Sequence, residues 1–296
     1  MSRPERRCFL QKKMDIKLID IHAHVNFNAF RDDGDEVIKR ALAGGVGMIL
    51  VGSQYDTSAR AVEYAERYPY GVWAAVGLHP IHVGGEIHVD AQEISASGVP
   101  GFVTRPEEFD YATYKKLALH PKTVAIGECG LDYFRSGGTQ VEREKQFEVL
   151  RWHIRLAREV QKPLIIHCRN AYDDLHHILQ EERAGLAQGG YGGTIHFFAG
   201  TWADARKFLD LGFSLSFTGV ITFARDYDET IKNMPLDRMM IETDAPYVAP
   251  TPYRGRRNEP LYVEEIAKKI AELRGITLDE VAKMTVSNAT RVFHLQ

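Results

Sequence analysis

Two histidines follow a short apolar run near the start of the chain. Residues 17–21 have the composition of a β-strand, and His22 and His24 close this run. Because alternate side chains of a strand share one face, both imidazoles can point to one side while Ala23 points away. Two imidazoles that converge on one cation indicate a metal site. By itself, however, a His-x-His pair is at least as often a polar strand end that faces solvent.

Four other residues of ligating type lie at or just beyond the C-terminal ends of short apolar runs. They are Glu128, His167, His196 and Asp244. A parallel barrel keeps its chemistry at this end of its strands, so their shared position favours one common site. Considered one at a time, Glu128 also fits a capping or salt-bridged glutamate. A lone histidine also fits a hydrogen-bonded structural residue.

Four histidines and two acids are sufficient ligands for two divalent metal ions. We expect one ion to be held by His22, His24 and Asp244. We expect the other to be held by His167 and His196, with Glu128 between the two ions. Such a site suits hydrolysis, because a metal lowers the pKa of bound water from roughly 15.7 to about 7. Asp244 can also orient or deprotonate that water, and the mixed ligands favour zinc or manganese over magnesium.

The elements that must position these residues recur as strand-like runs separated by helical patterns. Eight such runs cover residues 17–21, 47–51, 72–76, 123–126, 164–166, 194–195, 213–217 and 239–241. Apolar spacing predicts helices over residues 139–161, 202–211 and 260–273, and a helix capped by Thr57 or Ser58 that runs through Arg67. Eight alternating units predict an α/β fold, a single-domain TIM (β/α)8 barrel with the metal site at the C-terminal mouth of the strands. An open doubly wound sheet is the alternative, and the absence of an early Gly-x-Gly-x-x-Gly weakens it.

Two segments depart from this alternation. Residues 81–109, after the third strand, are rich in glycine, serine and proline, which predicts a loop insertion. It should lie over the metal candidates, where a lid and a passive surface insertion fit the sequence equally well. Residues 1–13 carry charge without an apolar core, so we expect a disordered extension before a domain that spans residues 14–296.

Several further residues near the strand ends suit an anionic substrate. His79, before Pro80 at the end of the third strand, either donates a hydrogen bond to a phosphate or is a structural turn histidine. Arginines after the strand ends match phosphate oxygens, although such residues are otherwise usually just solvated. The candidates are Arg135, Arg169, Arg254, Arg256 and Arg257. Asp20 should share the inward face of His22 and act as a partner of the ligands or as a buried strand acid.

Composition limits the class of protein. The chain has 296 residues and a net charge of -3, so contact with a polyanion would need a local basic patch. Its three cysteines, Cys8, Cys129 and Cys168, are scattered, which argues against a disulfide framework or a structural zinc cluster and fits a reducing cytoplasm. We expect Cys129 and Cys168 to be small buried residues. The sequence predicts no membrane anchor and indicates no obligate protein partner.

The motifs at these positions resemble the TatD family of metal-dependent deoxyribonucleases along nearly the whole chain. They are DIHAH at 20–24, VGLHP at 76–80, IGECGLDY at 126–133, IIH at 165–167, IHFFAG at 195–200 and IETDAPY at 241–247. RGRRNEP at 254–260 and NATRVF at 288–293 are similar to the tail of that family. The resemblance implies an amidohydrolase-like TIM barrel with a divalent-metal centre on the six proposed ligands. It also implies hydrolysis of ester bonds, with DNA as the commonly assigned substrate. For this reaction we expect Glu128, Asp244 and His79 to be the catalytic residues.

Two features differ from the family pattern. The 81–109 loop is longer than usual, and Ala199 stands where a serine is more common. The leading hypothesis is a nuclease that trims DNA at single strands or ends, because nothing in the sequence suggests a duplex-reading helix. One alternative keeps the barrel and metals but takes a small phosphoester, lactone or amide, because similar folds support several chemistries. A second alternative is a binding barrel without catalysis.

Overall fold

A computed structural model describes residues 15–89, 101–182 and 192–296 of the chain. The predicted disordered extension at residues 1–13 and the centre of the 81–109 loop lie outside the described residues. Ten strands are present in the described part, and their bounds are β1 Leu18–Ala23, β2 Val46–Val51, β3 Val72–Val76, β4 His88–Val89, β5 Phe102–Val103, β6 Thr123–Asp132, β7 Leu164–Arg169, β8 Gly193–Ile195, β9 Ser214–Phe217 and β10 Met239–Ile241.

Eight of these strands form a parallel sheet in the order β1-β2-β3-β6-β7-β8-β9-β10. A parallel bridge between Ala23 and Ala245 brings the first and last strands together. Two main-chain bonds support this closure: the amide of His24 donates to the carbonyl of Ala245 at 2.7 Å, and the amide of Asp244 donates to that of His22 at 2.9 Å. The predicted TIM barrel is therefore confirmed as a nearly closed barrel.

Helices connect the strands and cover the outside of the barrel. In the described residues their bounds are α1 Gly34–Ala43, α2 Tyr55–Glu66, α3 Tyr111–Ala118, α4 Gln140–Val160, α5 Tyr172–Glu181, α6 Trp202–Asp210, α7 Asp228–Asn233, α8 Val263–Arg274 and α9 Leu278–Phe293. The prediction of the α2 cap was wrong. The helix begins at Tyr55, because the amide of Gln54 donates to the Thr57 hydroxyl at 2.9 Å and so places Thr57 in its first turn. None of the described helices has the length and apolar content that crossing a membrane requires.

The barrel strands have two apolar faces. One core fills the barrel and includes Ile49, Ile165 and Met240, with Phe293 from α9 packed at the N-terminal ends of the strands. The other core lies between the strands and the surrounding helices. Cys129 and Cys168 belong to this outer core and are buried, as the sequence predicts.

A register irregularity in β1 turns its histidines inward. Asp20 pairs with Met48, but Ala23 pairs with Leu50, so β1 contains one residue more than its neighbour over this stretch. Because Met48 and Leu50 face the helices, Asp20 also faces outward while His22 faces the interior. The prediction that Asp20 and His22 share a face was therefore wrong, since it assumed a regular strand.

A second irregularity lies in β6. Cys129 lies three positions after Ile126, whereas their partners in β7 are two positions apart, and Glu128 lies within this irregular stretch. The strand continues beyond its predicted end at residue 126, so Glu128 is part of it. Only glycine fits at position 127, because φ is +148° and a Cβ there would lie 2.3 Å from the carbonyl oxygen of Ile165.

The described part of the segment after β3 includes regular secondary structure. Its described part contains the antiparallel pair β4 and β5. Glu107 holds its far end in place, because its carboxylate accepts bonds from the amide of Tyr55 at 3.0 Å and the hydroxyl of Tyr114 at 2.7 Å. The segment contributes one wall of the barrel mouth. A role as a lid stays a prediction.

Candidate metal centre

Four donor atoms converge from the ends of β1 and β10 and from the irregular stretch of β6. The Nε2 atoms of His22 and His24 are 3.1 Å apart. Glu128 Oε2 lies 3.3 Å from His22 Nε2 and 3.8 Å from His24 Nε2. Asp244 Oδ1 lies 3.8 Å and 3.3 Å from the same two nitrogens. A tetrahedral zinc ion with bonds of about 2.0 to 2.1 Å requires ligand separations of roughly 3.3 Å, and the donor atoms of His22, His24 and Asp244 lie 3.1 to 3.8 Å apart, close to this value.

The hydrogen bonds of His24 prepare it to bind a cation. Its Nδ1 lies 2.8 Å from the carbonyl oxygen of Val51, which can only accept, so Nδ1 carries the proton. When the ring is neutral, its Nε2 atom therefore presents a lone pair to the centre. His22 offers its Nε2 to the same space, whereas its buried Nδ1 has no hydrogen-bond partner among the described residues.

A second group of donors surrounds the other oxygen of Glu128. Oε1 lies 2.8 Å from His196 Nε2, 3.0 Å from His167 Nδ1 and 3.2 Å from His79 Nε2. The His196 and His167 nitrogens are 3.4 Å apart. The two oxygens of one carboxylate thus face different imidazoles. Three overlapping sets of donors among the described residues could hold a metal ion, and they are His22, His24 and Asp244; His22, Glu128 and His196; and His79, Glu128 and His167.

Two buried acids that the sequence analysis did not assign orient these imidazoles. Asp132 Oδ2 lies 3.2 Å from His167 Nε2, and its Oδ1 accepts bonds from the amides of Phe134 at 2.9 Å and Arg135 at 2.8 Å. With an ion bound at Nδ1, the ring proton of His167 would lie on Nε2 and face Asp132. The spacing of Asp132, four residues after Glu128 on a strand, was the available signal for this role.

Glu242 is the second unassigned acid. Its carboxylate accepts bonds from the amide of Phe197 at 2.5 Å and from the Ser216 hydroxyl at 2.8 Å. Oε1 also lies 3.5 Å from His196 Nδ1, a long contact that places negative charge behind the ring. Glu242 is fully buried and two residues before Asp244, which is the same alternation that links His22 to His24.

Asp20 joins the first strand of the barrel to the segment that follows the last strand, and its side chain does not face the donors. Its carboxylate accepts bonds from the Thr243 amide at 2.9 Å and hydroxyl at 2.5 Å, and from the His22 amide at 3.1 Å. Burial raises the pKa of Asp20 to about 8. The residue therefore fixes the main chain beside His22 and Asp244, which agrees with the predicted role as a partner of the ligands.

The donors form a tightly coupled electrostatic group. Burial alone would raise the pKa of Glu128, but the surrounding imidazoles, with His79 and His196 foremost, hold it well below its usual value. Burial lowers the pKa of His79 to about 4, so this ring is neutral at neutral pH. Its Nδ1 accepts a bond from the Ile81 amide at 3.1 Å, so the proton is on Nε2, the atom that faces Glu128. The pKa of His196 is in turn raised well above its usual value, mainly by the negative charge of Glu128. A carboxylate that its surroundings hold ionised is a suitable ligand for a divalent cation.

A cavity of about 830 Å³ opens above the donors. His79, Arg135 and Arg169 line it, as expected for residues that contact a substrate. Arg60 from α2 and Arg105 after β5 also line it, and the sequence analysis did not select them because neither follows a strand of the barrel. Four guanidinium groups therefore surround a mouth in a protein whose net charge is -3.

The arginines after β10 lie away from the lining. Arg254 packs over the Phe223 ring at 4.0 Å. Arg257 packs over the Phe30 ring at 4.3 Å and donates to both oxygens of Asp33, at 2.9 and 2.5 Å. Arg256 is exposed. Contact of these three residues with a substrate stays a prediction.

A parallel barrel with two groups of histidine and carboxylate donors at the C-terminal ends of its strands defines the class of metal-dependent hydrolases. A family model described as TatD related DNase matches residues 19–294, and the chain belongs to this family. The family predicted from the sequence motifs is thus confirmed.

Individual relatives match over nearly their whole length. The metal-dependent hydrolase YabD of Bacillus subtilis is 41% identical over 281 residues, which cover 94% of this chain and 99% of YabD. The 3'-5' ssDNA/RNA exonuclease TatD of Salmonella typhimurium is 34% identical and covers 94% of this chain and 99% of its own. The crystal structure of YJJV, a TatD homolog from Escherichia coli, is 28% identical with a TM-score of 0.78 and covers 96% of this chain and all of its own.

Proposed function

We propose that this chain is a two-metal nuclease that cleaves phosphodiester bonds of DNA, with single strands or ends as its preferred substrate. The observation that carries the proposal is the position of Glu128. Its Oε2 faces His22 at 3.3 Å and its Oε1 faces His196 at 2.8 Å, so one carboxylate can bridge two ions. The match to the TatD related DNase family supports DNA as the substrate. The names of exonuclease relatives support a preference for single strands.

The chemistry of two bound ions is activation of water and neutralisation of charge on a phosphate. In this proposal His22, His24, Glu128 and Asp244 would hold the first ion, and Glu128, His167 and His196 would hold the second. Asp244 reaches the cavity and can hold the attacking water and accept its proton. His79 carries its proton on Nε2 and can donate a hydrogen bond to a phosphate oxygen.

The shape and charge of the mouth support a strand end as the substrate. The donors are almost fully buried beneath a cavity whose volume suits a ligand of a few hundred Å³. A rigid duplex would be stopped at the rim, whereas the end of a flexible strand can enter. The four lining arginines can pair with its phosphates. The family match over residues 19–294 also supports one catalytic domain across residues 14–296.

Cleavage of end-labelled DNA tests the proposal. Protein stripped of metal and resupplied with magnesium, manganese or zinc should cut single-stranded DNA faster than duplex DNA. Glu128→Ala should lose at least about a hundredfold in rate, because both ions lose a ligand. Glu148→Ala, at an exposed position of α4, is the control and should cut normally.

Two results would contradict the proposal. Cleavage by Glu128→Ala at the rate of the unmodified protein would contradict the bridging role. Failure to cut DNA or RNA with any ion, together with hydrolysis of a small phosphoester or lactone, would replace the nuclease with a small-molecule hydrolase.

A further inference from the structure

Backbone strain in the described residues is concentrated at the cavity. Six residues other than glycine have a positive φ, and they are Gln161, Asn170, Phe197, Asp244, Val248 and His294. Gln161 and His294 end helices in the left-handed conformation, where this geometry is common, and asparagine tolerates it. The other three, Phe197, Asp244 and Val248, all line the cavity. Strain retained in this way is typical of residues that a site holds in place.

Phe197 is the aromatic residue of this group. Its φ is +43°, in the left-handed region that bulky side chains rarely adopt. The carboxylate of Glu242 holds its amide at 2.5 Å, and Glu242 itself is fully buried. The turn separates two neighbouring rings, because Phe198 is buried in the outer core while Phe197 lies on the cavity. The strained backbone therefore places an apolar ring in the cavity, outside the hydrophobic core.

The position of the ring relates it to the donors. Phe197 directly follows His196, and the two rings are 6.3 Å apart at an angle of 76°. The Phe197 side chain is half-buried, so part of it is accessible from the cavity. A phosphate near His196 would place the attached nucleoside within reach of this ring. Aromatic side chains bind unpaired bases by stacking, and they do so without strong preference for one base.

We propose that Phe197 is a stacking platform for a nucleobase of the bound strand. This inference rests on the proposed nuclease function and adds a residue that recognises the base, where the metal centre and arginines recognise only the phosphate. The Glu242 carboxylate serves both parts, because it holds the amide of Phe197 and lies behind His196.

Binding of small nucleotides tests the platform without any turnover. The affinities of the zinc-loaded protein for deoxyadenosine 5'-monophosphate and for 2-deoxyribose 5-phosphate should be measured by calorimetry. The two probes share the sugar phosphate and differ in the base. The unmodified protein should bind the nucleotide roughly 5 to 150 times more tightly, the range that stacking of one base provides.

Variants at position 197 then assign the preference to the ring. Phe197→Ala should reduce it to less than about threefold and leave the affinity for the sugar phosphate unchanged. Phe197→Tyr should preserve it. Phe197→Gly removes the ring and relieves the positive φ, so it should melt at a higher temperature than Phe197→Ala and thus separates loss of binding from loss of folding. Phe223→Ala, at an exposed ring outside the cavity lining, is the control.

Two results would overturn the inference. One is an equal affinity of the unmodified protein for both probes. The other is a base preference that survives in folded Phe197→Ala. Failure of the nuclease proposal would instead appear as absence of DNA and RNA cleavage, which the binding measurement does not use.

Discussion

At the scale of single residues, the candidate centre depends on acids that hold imidazoles in one tautomer. Asp132 faces Nε2 of His167, so Nδ1 of that ring points toward Glu128. A main-chain carbonyl has this role for His24, because the Val51 oxygen faces its Nδ1 and leaves Nε2 to point toward the donors. Removing such a partner leaves the ligand in place but lets the ring rotate or exchange its proton. The supporting acids should therefore affect the affinity for metal almost as strongly as the ligands.

Asp132→Asn tests this dependence. The amide keeps the size of the side chain but can present an N–H group to His167, which favours the tautomer with the proton on Nδ1. Affinity for the second ion should fall roughly 10- to 100-fold, while the first ion binds normally. Metal titration followed by calorimetry measures both steps. Two unchanged binding steps would show that Asp132 does not orient His167.

At the scale of secondary-structure elements, one histidine connects a helix to the strand beneath it. His153 of α4 is fully buried, and its Nε2 accepts a bond from the Leu78 amide at 2.9 Å, just beyond β3. Its Nδ1 lies 2.7 Å from the Val149 carbonyl. Burial lowers the pKa of His153 to about 4, so the ring is neutral in the folded protein. The contact therefore becomes a source of acid sensitivity.

The sign of this sensitivity follows from the proton balance. Between pH 6.5 and pH 4 the unfolded chain protonates His153 while the folded protein does not, so stability falls as the pH falls. The loss amounts to about 3 kcal/mol by pH 4. His153→Gln still accepts the bond from Leu78 and should melt with a weaker pH dependence. His177→Gln, at an exposed position of α5, should follow the unmodified protein. Parallel pH profiles for all three would contradict the prediction.

The strands and their registers also determine which parts of the candidate metal centre can be predicted from the sequence. The apolar runs predict all eight barrel strands, because a buried parallel strand needs little more than a short apolar segment. The motif positions bring all six candidate ligands to one place. The supporting roles of Asp132 and Glu242 need knowledge of which side chains face one another across strands. The irregularities in β1 and β6 shift the strand register by one residue and so change which side chains face inward. Asp20 is an example.

At the scale of the whole molecule, the barrel combines a slightly acidic chain with a mouth that contains four arginines. The donors come from strands around the ring, so the proposed ions would join elements that are distant in the sequence. Such ions stabilise the folded state, because the unfolded chain does not hold the donors together. Function and stability should therefore respond together to metal removal.

Removal of metal should lower the melting temperature. An ion present at a hundred times its dissociation constant contributes about 2.7 kcal/mol, which corresponds to a shift of roughly 5 to 10 °C for a domain of this size. Thermal melts in chelator and after resupply of zinc or manganese measure the shift. Asp244→Asn should weaken the first site and reduce the gain. Identical melts with and without metal would contradict metal binding to the folded state.

The bond between Asp20 and Thr243 spans 223 residues, and the candidate ligands beside it belong to the opening and closing strands of the chain. Synthesis proceeds from the N-terminus, so a chain still growing on the ribosome has His22 and His24 long before it has Asp244. An incomplete chain thus lacks a member of the first donor group. In the proposed function, the first ion therefore gains its complete set of ligands only when nearly all of the chain has been translated.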